Sequence, residues 1–448
     1  MHILSGKQYD VIVCGCGSAG FCAAIQAARA GMKTAVVEKY GMPGGTLTVM
    51  GNNSIDQFNN PFRTSKKMII QGIGWEFVQR LARMGYAVIP DMNAEYRVHW
   101  QYGVKVNPVA AAKLMDDYFV EQNIDVYYNQ PAVSVEAGSD GNGTHVDSVI
   151  LATKSGLTRL TASAFIDCTG DGDLCVWAGA DYECGGEGLG ELQPGTLRLY
   201  LKKTEDVDLS EPEQERAKVA IAEAIAEKRL FPGDLFCREV IPLLKSMGDN
   251  INHIPGFNSA DSDSKTFGEM EGRRSALRLM DVLKKAGIPA EIISCAPEVA
   301  PRESRRILCD GYITCDDYIN CRLFPDSICY SFWFIDLHRP GSEGNHIVYL
   351  KDGRTPSIPL SVMIPRGLTN VFVAGRCISG DRLANSAIRV KASCMAMGQA
   401  AGAAAAVAVR SNHGESRRID LTEVKKLLAE NDAVVPGYIE PKEFGEDE

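Results

Sequence analysis

The feature that most constrains this chain is its opening, where an apolar run from Tyr9 to Cys14 meets Gly15, Gly17 and Gly20 and then an alanine-rich helix. That is how a dinucleotide-binding βαβ unit begins. Gly15 allows the tight turn, Gly17 lets backbone close on a pyrophosphate, and Gly20 lets helix and strand pack with no side chain between them. The phosphates would then meet the free N–H groups at the helix N-terminus, from Ser18 and Ala19 onward. Ala24 and Gly31 continue the packing pattern, a second strand is expected over Thr34 to Val37, and Glu38 ends it. An acidic residue there accepts hydrogen bonds from an adenosine ribose. A glycine-rich loop with no ligand is the alternative, and it leaves that surrounding pattern without a purpose.

After Glu38 the chain reads Lys39-Tyr40-Gly41-Met42-Pro43-Gly44-Gly45-Thr46-Leu47-Thr48, and Gly44-Gly45 offers bare backbone to a large planar group. The full run resembles the start of FAD-dependent oxidoreductases of the glutathione-reductase-like superfamily. That resemblance implies FAD held along Lys39, Gly44, Gly45, Thr46, Leu47 and Thr48. Thr46 departs from the pattern, since many members carry Arg just after the glycines.

Bulk properties agree with this. At 448 residues the chain is too long for one simple core, so two interleaved domains are expected. A net charge of −10 and a pI near 5.4 argue against an electrostatic nucleic-acid or membrane-surface binder. No basic region followed by an apolar stretch opens the chain, so the expected setting is the cytoplasm. Ala392 to Val409 is low in polarity but mostly Ala and Gly, which suits a buried helix better than a membrane span. The 14 cysteines form no paired metal-binding units, and Cys309, Cys315, Cys321 and Cys329 are widely spaced; reduced, mostly buried thiols and no metal are expected.

Along the chain, residues 68 to 85 have helical periodicity, and Asn107-Pro108 opens a second helix running to Gln122. Strands are expected over Asp125 to Tyr128, Ala132 to Glu136 and Asp147 to Thr153, with a polar turn at Gly138 to Gly143. The fold class is therefore α/β, a Rossmann-like FAD-binding domain whose parallel sheet carries a β-meander insertion. In flavoproteins of this type the segment at Val133 touches the adenine. A buried strand then ends in Asp167-Cys168-Thr169-Gly170-Asp171-Gly172-Asp173, where Thr169, Gly170 and Asp171 would return to the cofactor. Asp171 or Asp173 could equally cap the next helix.

Beyond Ala180 a charged helix around Pro212 to Lys228, a polar loop Asn250 to Asp263 and the aromatic run Tyr330 to Phe334 suggest a second α+β substrate lobe. The expected divisions are 1–180 and 357–448 for the FAD-binding domain and 181–356 for the lobe. Ile358 to Ile364 and Val371 to Ala374 return to strand pattern. Gly375, Arg376 and Asp381, then Ser386, Ile388, Arg389 and Val390 leading into the alanine-rich helix, would offer N–H groups and a positive dipole end to the flavin. Asp381 would accept from a ribityl hydroxyl.

The resemblance becomes specific with Pro301-Arg302-Glu303-Ser304-Arg305-Arg306-Ile307, Ile335-Asp336-Leu337-His338, Gly375-Arg376-Cys377-Ile378-Ser379 and Gly398-Gln399-Ala400-Ala401-Gly402. In this order they look like a bacterial FAD-dependent oxidoreductase family, over essentially the whole chain. Cys309 stands where Gly is expected, and Asn385-Ser386 replaces a frequent His-Gly.

Of seven histidines, His338 stands out, because alternation places Asp336 on the same face of an extended chain. It is the first candidate for taking a hydroxyl proton, or a structural histidine; His253, beside Asn252, is the second. Arg302, Arg305 and Arg306 would hold an acidic substrate group or the flavin, or form an internal network with Glu303. The expected function is an FAD-dependent dehydrogenase oxidising a sugar-like or polyol-like CH–OH. Reduction of an activated C=C bond is the alternative, and a non-catalytic binding protein of the same fold is the alternative of another class. Expected partners are a small-molecule substrate and an electron acceptor, with no nucleic acid or membrane and with a homo-oligomer left open.

Overall fold

The computed structural model describes the chain apart from residues 1–2, 62–65, 95–98, 140, 142, 187–191, 203–209, 232, 236–243, 245–251, 289, 340–343, 352 and 443–448. Parts of two expected segments, residues 140 and 142 of the polar turn and 250–251 of the polar loop, thus lie outside the described residues.

Strand β1 (Ile3–Cys14) is buried from Val11 onward and leads through the glycine turn into α1 (Ser18–Arg29). Next comes β2 (Thr34–Glu38), parallel to β1 with Val13 opposite Val36. Helix α2 (Ile73–Arg83) starts later than the periodicity from residue 68 suggests, because Lys66–Met68 pairs as a strand with Asn59–Pro61. Gly72, at φ +69°, then turns the chain into the helix. Helix α3 (Pro108–Glu121) begins as read, with the Asn107 side chain accepting the Ala110 N–H at 3.0 Å.

Strands β3 (Asp125–Tyr128), β4 (Ala132–Ser139), β5 (Thr144–Thr153) and β6 (Gly156–Asp167) follow, then the short α4 (Asp173–Trp177). The main sheet runs β3-β2-β1-β6-β5-β4, with β7 (Val371–Val373) also on β6. β6 is long enough to serve two neighbours on one edge. Its first half pairs antiparallel with β5, from Thr161 to Gly156, and its last residues pair parallel with β7, Phe165 opposite Val371. The meander is thereby hung on a parallel Rossmann-like sheet, and the C-terminal segment is carried to the mouth of the glycine turn. Of the expected Ile358–Ile364 strand, only the first two residues fall in a strand, Ser357–Pro359; Leu360–Met363 winds into a 3₁₀ turn.

In the second lobe, α5 (Glu211–Ala226) and α6 (Ser262–Lys285) pack with the antiparallel strand pair Leu199–Leu201 and Ile292–Cys295. This lobe has its own apolar core, drawn from Leu197 to Val299. Ile307, Tyr318, Phe334 and Ile335, from the stretch 181–356, are buried instead in the large core around the main sheet.

The chain then adds α7 (Arg382–Ile388) and α8 (Lys391–Asn412). α8 lies hard against α1. A Cβ on Gly398 would stand 2.0 Å from the Ala19 carbonyl oxygen, so only glycine permits this crossing. The helix is long and apolar enough for a membrane span by composition, but 89% of its most apolar window is buried inside the fold, as a core helix requires.

Candidate active site

The nucleotide end is built almost wholly from backbone. Gly15, at φ +89°, donates its N–H to the Val37 carbonyl at 2.8 Å and turns the chain from β1 into α1. Gly20 packs beneath that turn: a Cβ there would lie 1.9 Å from the Gly15 carbonyl oxygen. At Gly17, by contrast, a Cβ would meet nothing within 4 Å. Gly17 also begins α1 with no side-chain cap, and the first turn carries no acidic residue, so its N–H groups and positive dipole end face the cavity unspent. Glu38 is buried and accepts the Cys16 N–H at 2.7 Å and the Tyr40 N–H at 3.0 Å. Burial pushes its carboxyl up to about 7 against the pull of the Cys16 N–H and Lys39. The Gly44 N–H reaches back to the Cys16 carbonyl at 2.6 Å, which seats Gly45 and Thr46 beside the glycine turn.

A cavity of 480 Å³ runs from this turn towards the second lobe. Of the expected cofactor residues, Gly15, Gly17, Ser18, Ala19, Glu38, Lys39, Gly45, Thr46, Thr169, Gly170, Asp171, Gly375, Arg376, Ser386, Arg389 and Val390 line it. The others lie behind the wall. Gly44 and the buried Leu47 and Thr48 shape the turn from beneath, and Thr48 spends its hydroxyl on the Pro43 carbonyl. Ile388 is buried, whereas Val133 points outward beside Pro131 and Ala132, which do line the cavity. Asp381 is not at the cavity. It caps α7, accepting the Ala384 N–H at 2.8 Å and the Cys315 N–H at 2.5 Å, so backbone uses both of its oxygens.

Asp171 is a hub rather than a helix cap. One of its oxygens accepts from Arg376 at 2.7 Å, Ser304 at 2.6 Å and Ser259 at 2.7 Å. Burial disfavours the charge, but Arg376 and the hydroxyls outweigh it and hold the carboxyl below its ordinary value. The two readings of the arginine-rich motif divide by residue. Arg305 pairs with Asp173 at 2.9 Å and Arg306 with Glu303 at 2.9 Å, an internal network. Arg302 lines the cavity and donates to the Pro194 carbonyl and the Thr196 hydroxyl.

At the far end the cavity meets Trp333, Asp336 and His338. Asp336 and His338 share one face of the strand Ile335–His338, as alternation requires, with His338 Nε2 3.3 Å from Asp336 Oδ2. Asn345, across the hairpin from His338, donates to Asp336 Oδ1 at 2.9 Å. The second candidate proves to be the neighbour of the first: His253 Nε2 stands 3.1 Å from His338 Nδ1. His253 itself is buried behind the wall, with its backbone N–H on the Gly233 carbonyl. Burial, then the charge of Arg302, pushes His338 down to about 4 despite Asp336, and burial and Arg302 move His253 the same way. Both rings are therefore neutral near pH 7. Asp336 is held below its ordinary value, His338 and nearby Arg389 outweighing burial.

Three residues at this end escaped the sequence reading. Gln193 accepts from the His338 N–H at 3.2 Å and from Arg389 at 3.1 Å, and no sequence pattern marks it. Asn345 is legible only once the hairpin is known. Lys391 lines the cavity, donates to the Ser54 carbonyl at 2.8 Å, and is pushed down by burial to about 8 although Asp56 favours its charge. A lysine opening a helix with no further charge until Arg410 was its signal.

The uncapped α1 N-terminus, the unfilled space over Gly17 and the buried acceptor Glu38 fit the diphosphate and ribose of FAD. Among curated proteins, the chain is 27% identical over 165 residues to the soluble pyridine nucleotide transhydrogenase of Pseudomonas syringae pv. syringae, covering 36% of this chain and 31% of that one. It is 56% identical over 45 residues to the dihydrolipoyl dehydrogenase of Trypanosoma brucei brucei, 10% of this chain and 9% of that one. The chain thus spans less than a third of the length of either relative. Among solved structures, a geranylgeranyl bacteriochlorophyll reductase-like protein from Thermoplasma acidophilum aligns over 95% of this chain and 84% of its own, at 14% identity and a TM-score of 0.41. The sequence profile of the FAD dependent oxidoreductase family matches residues 10–428. The chain belongs to that family, an FAD-dependent oxidoreductase.

Proposed function

We propose that this enzyme oxidises a small polar molecule at a CH–OH group, with His338 taking the hydroxyl proton. The observation that carries this reading is the row Asp336, His338, His253, which starts on the cavity wall and leads away from it. FAD, when bound, supplies the two-electron acceptor for such chemistry. Gly15, Gly17, Ser18, Glu38, Gly45 and Thr46 would hold its adenosine diphosphate, and Gly375, Arg376 and Val390 stand where the cavity continues from them.

The chain's own part is the proton. In the reaction the alcohol carbon loses a hydride with both electrons, the hydroxyl loses a proton, and a C=O bond forms. A neutral imidazole can accept that proton, whereas an imidazolium could not. Asp336 favours the cation that results, and the 3.1 Å contact gives it a path to His253. In the tautomer that carries its proton on Nδ1, towards His253, His338 Nε2 is an acceptor met only by the Asn345 amide at 3.4 Å, so a hydroxyl entering the cavity has a nitrogen to donate to, and the N–H formed there then faces Asp336 at 3.3 Å. Burial of α8 within the fold is in keeping with a soluble, cytoplasmic enzyme.

Anaerobic mixing of the yellow protein with a panel of alcohols, polyols and sugars tests the reading. Bleaching of the flavin by at least one CH–OH compound is expected. Bleaching by none of them, with oxidation of reduced enzyme by an activated alkene instead, would replace the reading with C=C reduction.

A further inference from the structure

We propose that the substrate is a hydroxy acid whose carboxylate is held by Arg389, with its alcohol carbon presented to His338. This rests on the proton-acceptor reading of His338. It names the substrate class for that site and assigns Arg389 to substrate rather than to the cofactor.

Arg389 differs from Arg376, which lines the same cavity, and from Arg305 and Arg382. Arg376 is paired with Asp171, Arg305 with Asp173, and Arg382 with Glu303 at 2.9 Å. Among the described residues Arg389 has no carboxylate within ion-pair distance. Its Nη2 donates to two neutral acceptors, the Gln193 side chain at 3.1 Å and the Asp336 carbonyl at 3.2 Å. Its Nε is buried and makes no hydrogen bond. A guanidinium carries five donors, and one withdrawn from water without an anion is costly unless a ligand completes it. The side chain lines the cavity, so the missing acceptor is one that enters there. A carboxylate matches it best, because two coplanar oxygens can take two parallel N–H donors at once.

The surroundings favour an anion as well. Arg302 and Lys391 also line the cavity, while two of its acids are engaged: Asp336 with His338 and Asn345, Asp56 with Ser54. Burial and the neighbouring Arg376 hold Arg389 below its ordinary value, a strain that a bound carboxylate relieves.

Shared partners then suggest where the alcohol belongs. Gln193 Oε1 bridges the Arg389 guanidinium and the His338 backbone N–H, and Asp336 meets Arg389 through its carbonyl and His338 through its side chain. Anchor and proton acceptor are thus tied through the same two residues. A carboxylate on Arg389 leaves the adjacent carbon within reach of the imidazole, which is the pattern of a 2-hydroxy acid. Its oxidation gives a 2-oxo acid, the proton passing to His338 and the hydride to the FAD acceptor of the established activity.

The test is an anaerobic titration of FAD-loaded protein, followed by flavin absorbance. The probes are lactate, glycerate and malate, the neutral counterparts lactamide and glycerol, and the unreactive dicarboxylate oxalate. The acids should perturb or bleach the flavin at concentrations at least about tenfold below their neutral counterparts. Arg389→Gln should keep its FAD and weaken acid binding roughly 30-fold or more, with Arg389→Lys in between.

If oxalate binds through Arg389 but no hydroxy acid bleaches the flavin, the carboxylate site stands and the CH–OH reading falls. If neutral alcohols bleach it as readily as acids and Arg389→Gln changes nothing, the proposal is overturned and the CH–OH reading survives. Absence of any response to every acid, oxalate included, also overturns it. Should Arg389→Gln fail to fold, the comparison of acids with neutral probes on the unaltered protein decides alone.

Discussion

At one end of the cavity, Gly15, Gly17, Glu38 and Gly45 come from a single continuous stretch and act chiefly through backbone groups. At the other end, Gln193, His253, Asp336, His338 and Arg389 arrive from distant parts of the chain and act through side chains. The first end is rigid because the main chain of β1, α1 and β2 forms it. The second depends on how the lobe with its own core sits against the main sheet, since His253 lies within that lobe's stretch and Gln193 just before it. A cofactor common to many reactions can be held by backbone that tolerates side-chain change, while the particular reaction is left to side chains that tertiary packing brings together.

The sharpest way to break this division is His338→Asn. Flavin reduction should slow by roughly 10²–10⁴-fold, the usual worth of a positioned general base, with FAD content unchanged. Stopped-flow reduction beside a thermal melt reads both. A destabilised variant with a normal reduction rate would make the histidine structural and move the proton to another group.

The complementary change at the nucleotide end is Glu38→Ala. It should weaken FAD binding by roughly 1.5–3 kcal/mol, through lost charge-assisted hydrogen bonds to the ribose, and leave the reduction rate of the remaining holoprotein unaltered. Titration of apoprotein with FAD measures the loss. If affinity held and reduction slowed, the two ends would not be separable.

A smaller effect follows from protonation. The folded pKa of His338, about 4, lies below its ordinary 6.5, so the unfolded chain binds more protons between those values. The neutral ring therefore contributes nothing adverse above pH 6.5, and stability is lost as pH falls from there towards 4. Glu38, raised to about 7, acts in the opposite sense over part of that range, which makes the difference between two proteins the useful quantity. Between pH 6.5 and 4 the unaltered protein should lose more stability than His338→Asn, by at most about 1.4 kcal/mol per pH unit. Denaturant melts across that range check it; parallel curves would contradict a neutral buried His338.

The same contrast explains what could be read from the chain. The glycine turn, Glu38 and the parallel strands were legible because spacing and backbone demand are local properties. Helix α2 was expected too early because the apolar period passes through Met68, and nothing before the strand pairing reveals that Lys66–Met68 is extended. Asp381 looked like a ligand because acids near a cofactor segment usually are, but its cap geometry claims both oxygens. His338 and Asp336 were readable together, two residues apart on a strand. That His253 touches His338 was not, nor was Gln193, because both contacts join segments far apart in sequence.

The most direct test of proton transfer at the far end is the pH dependence of anaerobic flavin reduction by an active CH–OH substrate, in the unaltered protein and in His338→Asn. The account predicts a rate that holds through pH 6.5, where an ordinary histidine would already be half charged, falls off only as pH approaches 4, and loses this limb in the variant. A half-maximal point at 6.5, or an identical profile in both proteins, would contradict it.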